Sequence, residues 1–365
     1  MKKIKVYLQF PWKISDSQYY KSLMENPPKD VEYFPTNQNN GMILSKKRLK
    51  FVNFLKGIPR KILETLELPI INVHKTSTYQ EYDLIHCAHC LSKNDEPWVA
   101  DFESLWQMWV SGRDTEIGIK KVKNILKNKN CKAIIAWTNA AKREIIKRYP
   151  EIKKKVHVVG FGQKKQIFEK KKKKNIQLVF IGRYFFWKGG LHAVEAMDRL
   201  TRKYENVEAL VISQTPKDLR EKYSINKKMN FMELIPHEKL NKEIFPFSDI
   251  LIYPGYSDTF GFIFPEAMSF GIPVVTIDGF ARKEIVKDGK TGKVIELNKQ
   301  LSDIEMKSPN EKIVKEIVKE TSLLIDNEKL REKMSRNCLK EVEYGMFSIE
   351  KRNEKLRRIY EKEIK

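Results

Sequence analysis

The stretch Ser257-Asp258-Thr259-Phe260-Gly261-Phe262-Ile263-Phe264-Pro265-Glu266 sets two carboxylates eight positions apart around a Gly-containing loop. The run Ser248 to Tyr253 before it reads as a short buried strand, and Pro254-Gly255-Tyr256-Ser257 turns that strand into a loop. Pro265 suits the first turn of the next helix, where its missing N–H is no loss, so the amides around Phe260, Gly261 and Phe262 face whatever sits above the helix. An anion suits that place. Glu266 is positioned to accept hydrogen bonds from a vicinal diol such as a ribose, and Asp258 to reach a second hydroxylated ring. A second constellation lies upstream. Asn175 to Gly182 is an apolar strand ending in Gly, and Arg183 and Lys188 flank the turn that leads through Gly189-Gly190 into a helical pattern from Leu191 to Arg199. A rigid guanidinium fork beside a mobile ammonium suits a diphosphate, whose charge grows as it departs.

Asp258 to Glu266, followed by Ala-Met-Ser-Phe-Gly-Ile-Pro-Val-Val, resembles the E-x7-E signature of retaining glycosyltransferase family 4 (glycosyl transferases group 1), with Asp in place of the first Glu. The resemblance implies the GT-B fold, an α/β architecture of two doubly wound Rossmann-like domains facing a central cleft. It also implies retaining, hexosyltransferase-type transfer from a nucleotide-diphosphate sugar, with no metal and no other cofactor. Carried over residue by residue, it gives Glu266 the nucleotide ribose, Asp258 the hydroxyls of the donor sugar, and Arg183 and Lys188 the departing nucleoside diphosphate. Gly182, Phe260, Gly261 and Phe262 complete the implied donor site. The plainer alternative makes the acids solvated residues of a loop and a helix start, and the cations ordinary surface charge. The flanking Gly and Pro residues, and the pairing of both cations at one strand end, favour a site.

Alternating strands and helices must hold these groups. Strands are expected at Lys3 to Phe10, Tyr82 to Cys87, Trp98 to Asp101, Ala133 to Trp137 and Val156 to Val159, then at Gln177 to Ile181, Ala209 to Ser213, Ile250 to Tyr253 and Val274 to Ile277. The chain of 365 residues, 41% apolar, can fill two cores. We divide it into an acceptor-binding domain at 1–160, a linker at 161–175 with five consecutive lysines from Lys170 to Lys174, and a nucleotide-sugar domain at 176–346. In the resembled family a terminal helix, here 347–365, crosses back to the first domain.

The first half is expected to supply the acceptor, a glycan or a lipid-linked molecule. Asp101 and Glu103, after a strand, suit orienting or deprotonating an acceptor hydroxyl, or capping a helix from Ser104, and His86 is a further acceptor candidate. Trp106 and Trp109 would share that helix, as sugar platforms or as core. The acid pair also admits a metal-dependent GT-A-like transferase, which leaves the second-half motifs unexplained. Cys87-Ala-His-Cys90 has half a zinc-site spacing that nothing completes, so structural thiols are expected. His237 reads as a surface residue at a helix start.

The net charge of +23 calls for an acidic counterpart or an unusual surface, with phosphorylated donors, anionic lipid and nucleic acid as the candidate partners. Phe51, Phe54, Leu55, Ile58 and Ile62 recur among basic residues between Lys46 and Leu68, a candidate membrane-surface dock. With no apolar span and an opening that reads as a strand, a cytoplasmic, peripheral location at the inner membrane face is expected. A basic nucleic-acid or membrane binder on an inactive transferase scaffold is the alternative of another class. The basic runs lack interleaved aromatic recognition patterns, so no specific nucleic-acid partner is expected.

Overall fold

A computed structural model describes residues 3–9, 18–34, 68–75, 78, 80–111, 114–168, 174–297 and 299–364. The chain forms two compact units, Met1–Gly162 with Met346–Lys365, and Gln163–Gly345. The membrane-dock candidate at Lys46 to Leu68, except Leu68 itself, and four of the five consecutive lysines lie outside the described residues.

The first unit is built on β1 (Ile4–Gln9), α1 (Gln18–Glu25), β2 (Val31–Phe34), β3 (Leu84–Cys87), β4 (Trp98–Phe102), α2 (Glu116–Lys127), β5 (Cys131–Ala136), α3 (Asn139–Arg148) and β6 (Val156–Val158). Its parallel sheet has the order β6-β5-β4-β3-β1-β2. The central strands β3 and β4 are buried along their whole length, as their apolar runs require when helices cover both faces. Edge strand β2 instead alternates, with Val31 and Tyr33 inward and Glu32 exposed. Thr115 and Thr138 start α2 and α3 by accepting from the amides of Gly118 at 3.1 Å and Ala141 at 3.0 Å. The expected helix from Ser104 is one 3-10 turn, Leu105–Met108, and Trp109 opens a strand, Trp109–Ser111, paired with Ile70–Ile71. Trp106 and Trp109 therefore share no helix face.

The second unit is built on β7 (Ile176–Gly182), α4 (Gly190–Lys203), β8 (Val207–Ser213), α5 (Lys217–Ser224), β9 (Met229–Met232), β10 (Ile250–Ile252), α6 (Ile263–Met268), β11 (Val274–Ile277), β12 (Gly292–Ile295), α7 (Glu311–Asp326) and α8 (Glu328–Glu343). Its parallel sheet runs β9-β8-β7-β10-β11-β12. Strand order reverses between β7 and β10, and a doubly wound sheet binds ligands outside the carboxyl ends of its strands at such a point. The expected strands are all present. Edge strands β2, β9 and β12 went unforeseen, because four residues with polar members carry no apolar run.

The last helix, α9 (Ile349–Glu363), belongs to the first unit. Arg352, 2% exposed, donates from Nη1 to Ser22 Oγ and from Nη2 to the Asn26 carbonyl, both at 2.6 Å. Tyr360 lies 2.6 Å from His86 Nδ1 and 3.1 Å from the Tyr33 hydroxyl.

Candidate functional site

The two loops at the reversal point of the second sheet are stitched together. β7 ends at Gly182, where an added Cβ would lie 3.1 Å from the Lys188 Cβ, so the strand end admits the returning lysine stem. The turn closes through the Lys188 amide on the Tyr184 carbonyl at 2.9 Å and the Gly190 amide on the Phe185 carbonyl at 2.7 Å. Gly189 takes φ +78°, and a Cβ there would meet Pro254 at 2.4 Å, so only glycine lets this turn pack against the loop after β10. That loop answers with the Gly255 amide on the Lys188 carbonyl at 3.0 Å and the Ser257 amide on the Trp187 carbonyl at 3.2 Å.

This stitching brings Lys188 of the upstream constellation to Asp258 of the other. Lys188 Nζ forms an ion pair with Asp258 Oδ1, and both side chains are more than four-fifths buried. The Tyr253 hydroxyl donates to Asp258 Oδ2 at 2.6 Å. Burial, followed by the Asp258 charge, pushes the Tyr253 phenol well above its ordinary value, so it stays a donor. Arg183, directly after β7, is half-buried.

Glu266 sits on α6, 8% exposed, and its Oε1 lies 3.3 Å from His237 Nε2. His237 is thus a half-buried partner of the carboxylate and not a bystander on the surface; its sequence context, Pro236-His-Glu238, shows a helix start and nothing of what lies opposite. The helix ends at Met268, and Gly271 follows at φ +65°. Phe260 turns its ring into the core at 1% exposure, so only its main chain is available to a ligand. Phe262 packs against it, with ring centres 5.4 Å apart. Arg282 was not anticipated. It is 1% exposed, donates from Nη2 to the carbonyls of Gly255 at 2.7 Å and Asp258 at 3.4 Å, and lies 4.4 Å over the Phe264 ring.

In the first unit Asp101 ends β4 at 1% exposure. Its Oδ1 accepts the His89 amide at 2.7 Å, while Oδ2 is buried without a partner. Burial pushes this carboxyl well above its usual range. Glu103 is half-buried, and its amide donates to Gln107 Oε1 at 2.7 Å. His86 corrects the sequence expectation. It is fully buried, Tyr360 of α9 holds its Nδ1 and its Nε2 has no partner, so it joins that helix to the sheet from within the core. His89, at φ +46°, stacks on Trp106 with centres 6.3 Å apart. The four cysteines are buried thiols. Among the described residues no group of three His, Cys, Asp or Glu could hold a metal ion, and no helix is long and apolar enough to cross a membrane.

Residues 161–341 match the family described as Glycosyl transferases group 1. The capsular polysaccharide biosynthesis glycosyltransferase CapM of Staphylococcus aureus is 27% identical over 228 residues, 58% of this chain and 56% of CapM. The chain thus matches little more than half the length of that curated relative. Among solved structures, a glycosyltransferase from Rickettsia africae superposes with TM-score 0.65 at 14% identity, covering 100% of this chain and 99% of that one. Anabaena HepE, solved with UDP and glucose, gives TM-score 0.60 at 14% identity, covering 98% of each chain. Residues 161–341, nearly the whole of the second unit, thus resemble the glycosyl transferases group 1 family, and the chain has the GT-B fold.

Proposed function

We propose that this protein is a retaining glycosyltransferase that moves a sugar from a nucleotide-diphosphate sugar to a glycan or a lipid-linked acceptor. The observation that carries this is the Lys188–Asp258 pair, buried and cross-stitched at the reversal point of the second sheet, with Arg183 at the adjoining strand end. Incoming donor exchanges with this pair: the Lys188 ammonium turns to the diphosphate and Asp258 to the sugar hydroxyls. Glu266, backed by His237, accepts from the ribose diol.

Arg183 and Lys188 neutralise the charge that develops on the leaving diphosphate, the work a divalent cation performs elsewhere, so transfer needs no metal. The acceptor attacks the face the leaving group vacates, and a phosphate oxygen takes the acceptor proton. Asp101 and Glu103 are proposed to orient the acceptor. The net charge of +23 supports work at an anionic membrane surface on the cytoplasmic side, where a lipid-linked acceptor would lie.

The test is calorimetry of the purified protein with UDP-, GDP-, ADP- and dTDP-sugars in EDTA, followed by NMR of the anomeric product. We expect selective binding of one donor without metal, and retained configuration. Binding only with a divalent cation, or an inverted product, would overturn metal independence or retention. Salt-sensitive nucleic-acid binding with no donor binding would favour an inactive scaffold.

A further inference from the structure

The donor site rests on a buried cation that stability does not explain. Arg282 begins the short helix Arg282–Ile285 after β11 and is 1% exposed. Its side-chain partners are uncharged. Nε donates to the Ile277 carbonyl at 3.3 Å, Nη2 to the carbonyls of Gly255 and Asp258, and the Phe264 ring covers one face. Nη1 is buried with no partner. Burial pulls this guanidinium down from its ordinary value, the mark of an unfavourable environment for charge. An apolar side chain of similar volume in such a place is often neutral or stabilising.

What Arg282 does touch is the main chain at both ends of one turn. Gly255 and Asp258 are joined by the Asp258 amide on the Gly255 carbonyl at 3.1 Å, and the same guanidinium nitrogen reaches both of their carbonyls. The turn closes tightly on it. Gly255 has φ +63°, and a Cβ there would come within 2.9 Å of Nη2. This matters because the acid on the turn is aspartate. A glutamate can absorb a displaced backbone by rotating an extra bond, whereas the reach of a carboxylate one methylene shorter is set by the backbone itself.

We propose that Arg282 is a positioning residue of the donor site: by clamping the Gly255 and Asp258 carbonyls it fixes the turn that aims the Asp258 carboxylate at Lys188 and, in turnover, at the donor sugar. This rests on the sugar-transfer reading above. A misplacement of about 1 Å at a reacting group costs on the order of 10² in rate.

The experiment uses Arg282→Lys, which keeps the charge but not the fork, and Arg282→Met, each alone and combined with Asp258→Asn. Each single change is expected to lower kcat by about 10², with the KM for donor and the Kd for nucleoside diphosphate within about threefold of wild type. Added to Asp258→Asn, the same changes cost less than about threefold, because the group they act through is gone. Crystals of Arg282→Lys are expected to show the carboxylate displaced from Lys188. Wild-type kcat in Arg282→Lys would reduce the role to charge and overturn the proposal, as would losses that multiply with Asp258→Asn or an unmoved carboxylate. If the wild-type protein transfers no sugar, the proposed function falls, while the position of Asp258 in the Arg282→Lys crystals still decides the clamp.

Discussion

Both units are parallel doubly wound sheets, yet their carboxyl edges are finished differently. In the second unit the carboxylates at the reversal point meet partners, Asp258 with Lys188 and Tyr253 and Glu266 with His237, while Arg282 Nη1 and the Tyr256 hydroxyl are buried without one. In the first, Gln9 Nε2 at the end of β1, His89 Nδ1 just after β3 and Asp101 Oδ2 at the end of β4 are buried without partners. A buried polar group left unmatched costs on the order of 1–3 kcal/mol, so such groups are kept where a ligand or water completes them. The proposed donor side holds its carboxylates with its own residues, whereas at the other edge a carboxylate itself, Asp101, keeps an unmatched oxygen.

Substitutions can break or sharpen that contrast. The largest effect is expected from Lys188→Met, which removes a preorganised charge and strands Asp258; single-turnover transfer should slow by about 10²–10³. Arg183→Ala is expected to cost about 10² in the same assay, and full activity would remove it from the diphosphate site. Glu266→Gln should weaken nucleoside-diphosphate affinity roughly tenfold by calorimetry, since one hydrogen bond to a charged group is worth about 1.5–3 kcal/mol. An unchanged dissociation constant would dismiss the ribose role. Asp101→Asn combined with Glu103→Gln should reduce transfer to acceptor several-fold while hydrolysis of the donor is unchanged; equal losses would make the pair structural and erase the contrast.

A last effect is on stability and leaves transfer at pH 7 untouched. Burial, then the Arg352 charge, pulls His86 down to about 3, so the folded unit keeps the ring neutral while the unfolded chain takes a proton below about 6.5. The unfolded state binds the extra proton in that window. Stability is therefore whole above pH 6.5 and falls as pH drops toward 3, by about 1.4 kcal/mol per pH unit for this group. His89, pulled to about 4 by burial, adds the same sign. Urea unfolding at pH 7 and pH 5 should show a smaller difference for His86→Gln than for wild type.

The same contrast governs what the sequence reveals. Arg183, Lys188, Asp258 and Glu266 occupy two short strand-loop-helix segments, so their spacing is visible without knowing the fold. Arg282 and His237 act on those segments from elsewhere in the chain, and only packing brings them near. The first unit assembles its edge from Gln9, His89 and Asp101, ends of separate strands whose neighbourhood exists only once the sheet forms. His86 misled for a related reason. A histidine at a strand end reads as chemistry until its partner, Tyr360, arrives from the far end of the chain.

That late arrival has a consequence for synthesis on the ribosome. Residues 163–345 form a continuous unit that can close as soon as it emerges. The first unit must wait, because Arg352 and Tyr360, the residues that fasten Ser22, Asn26 and His86, are made only after residues 163–345. Until then the nascent chain carries a finished second unit and an open first sheet, an interval in which the first unit is exposed to proteases and chaperones. Deleting α9 should therefore spare the fold of residues 163–345 and leave the first unit open to limited proteolysis.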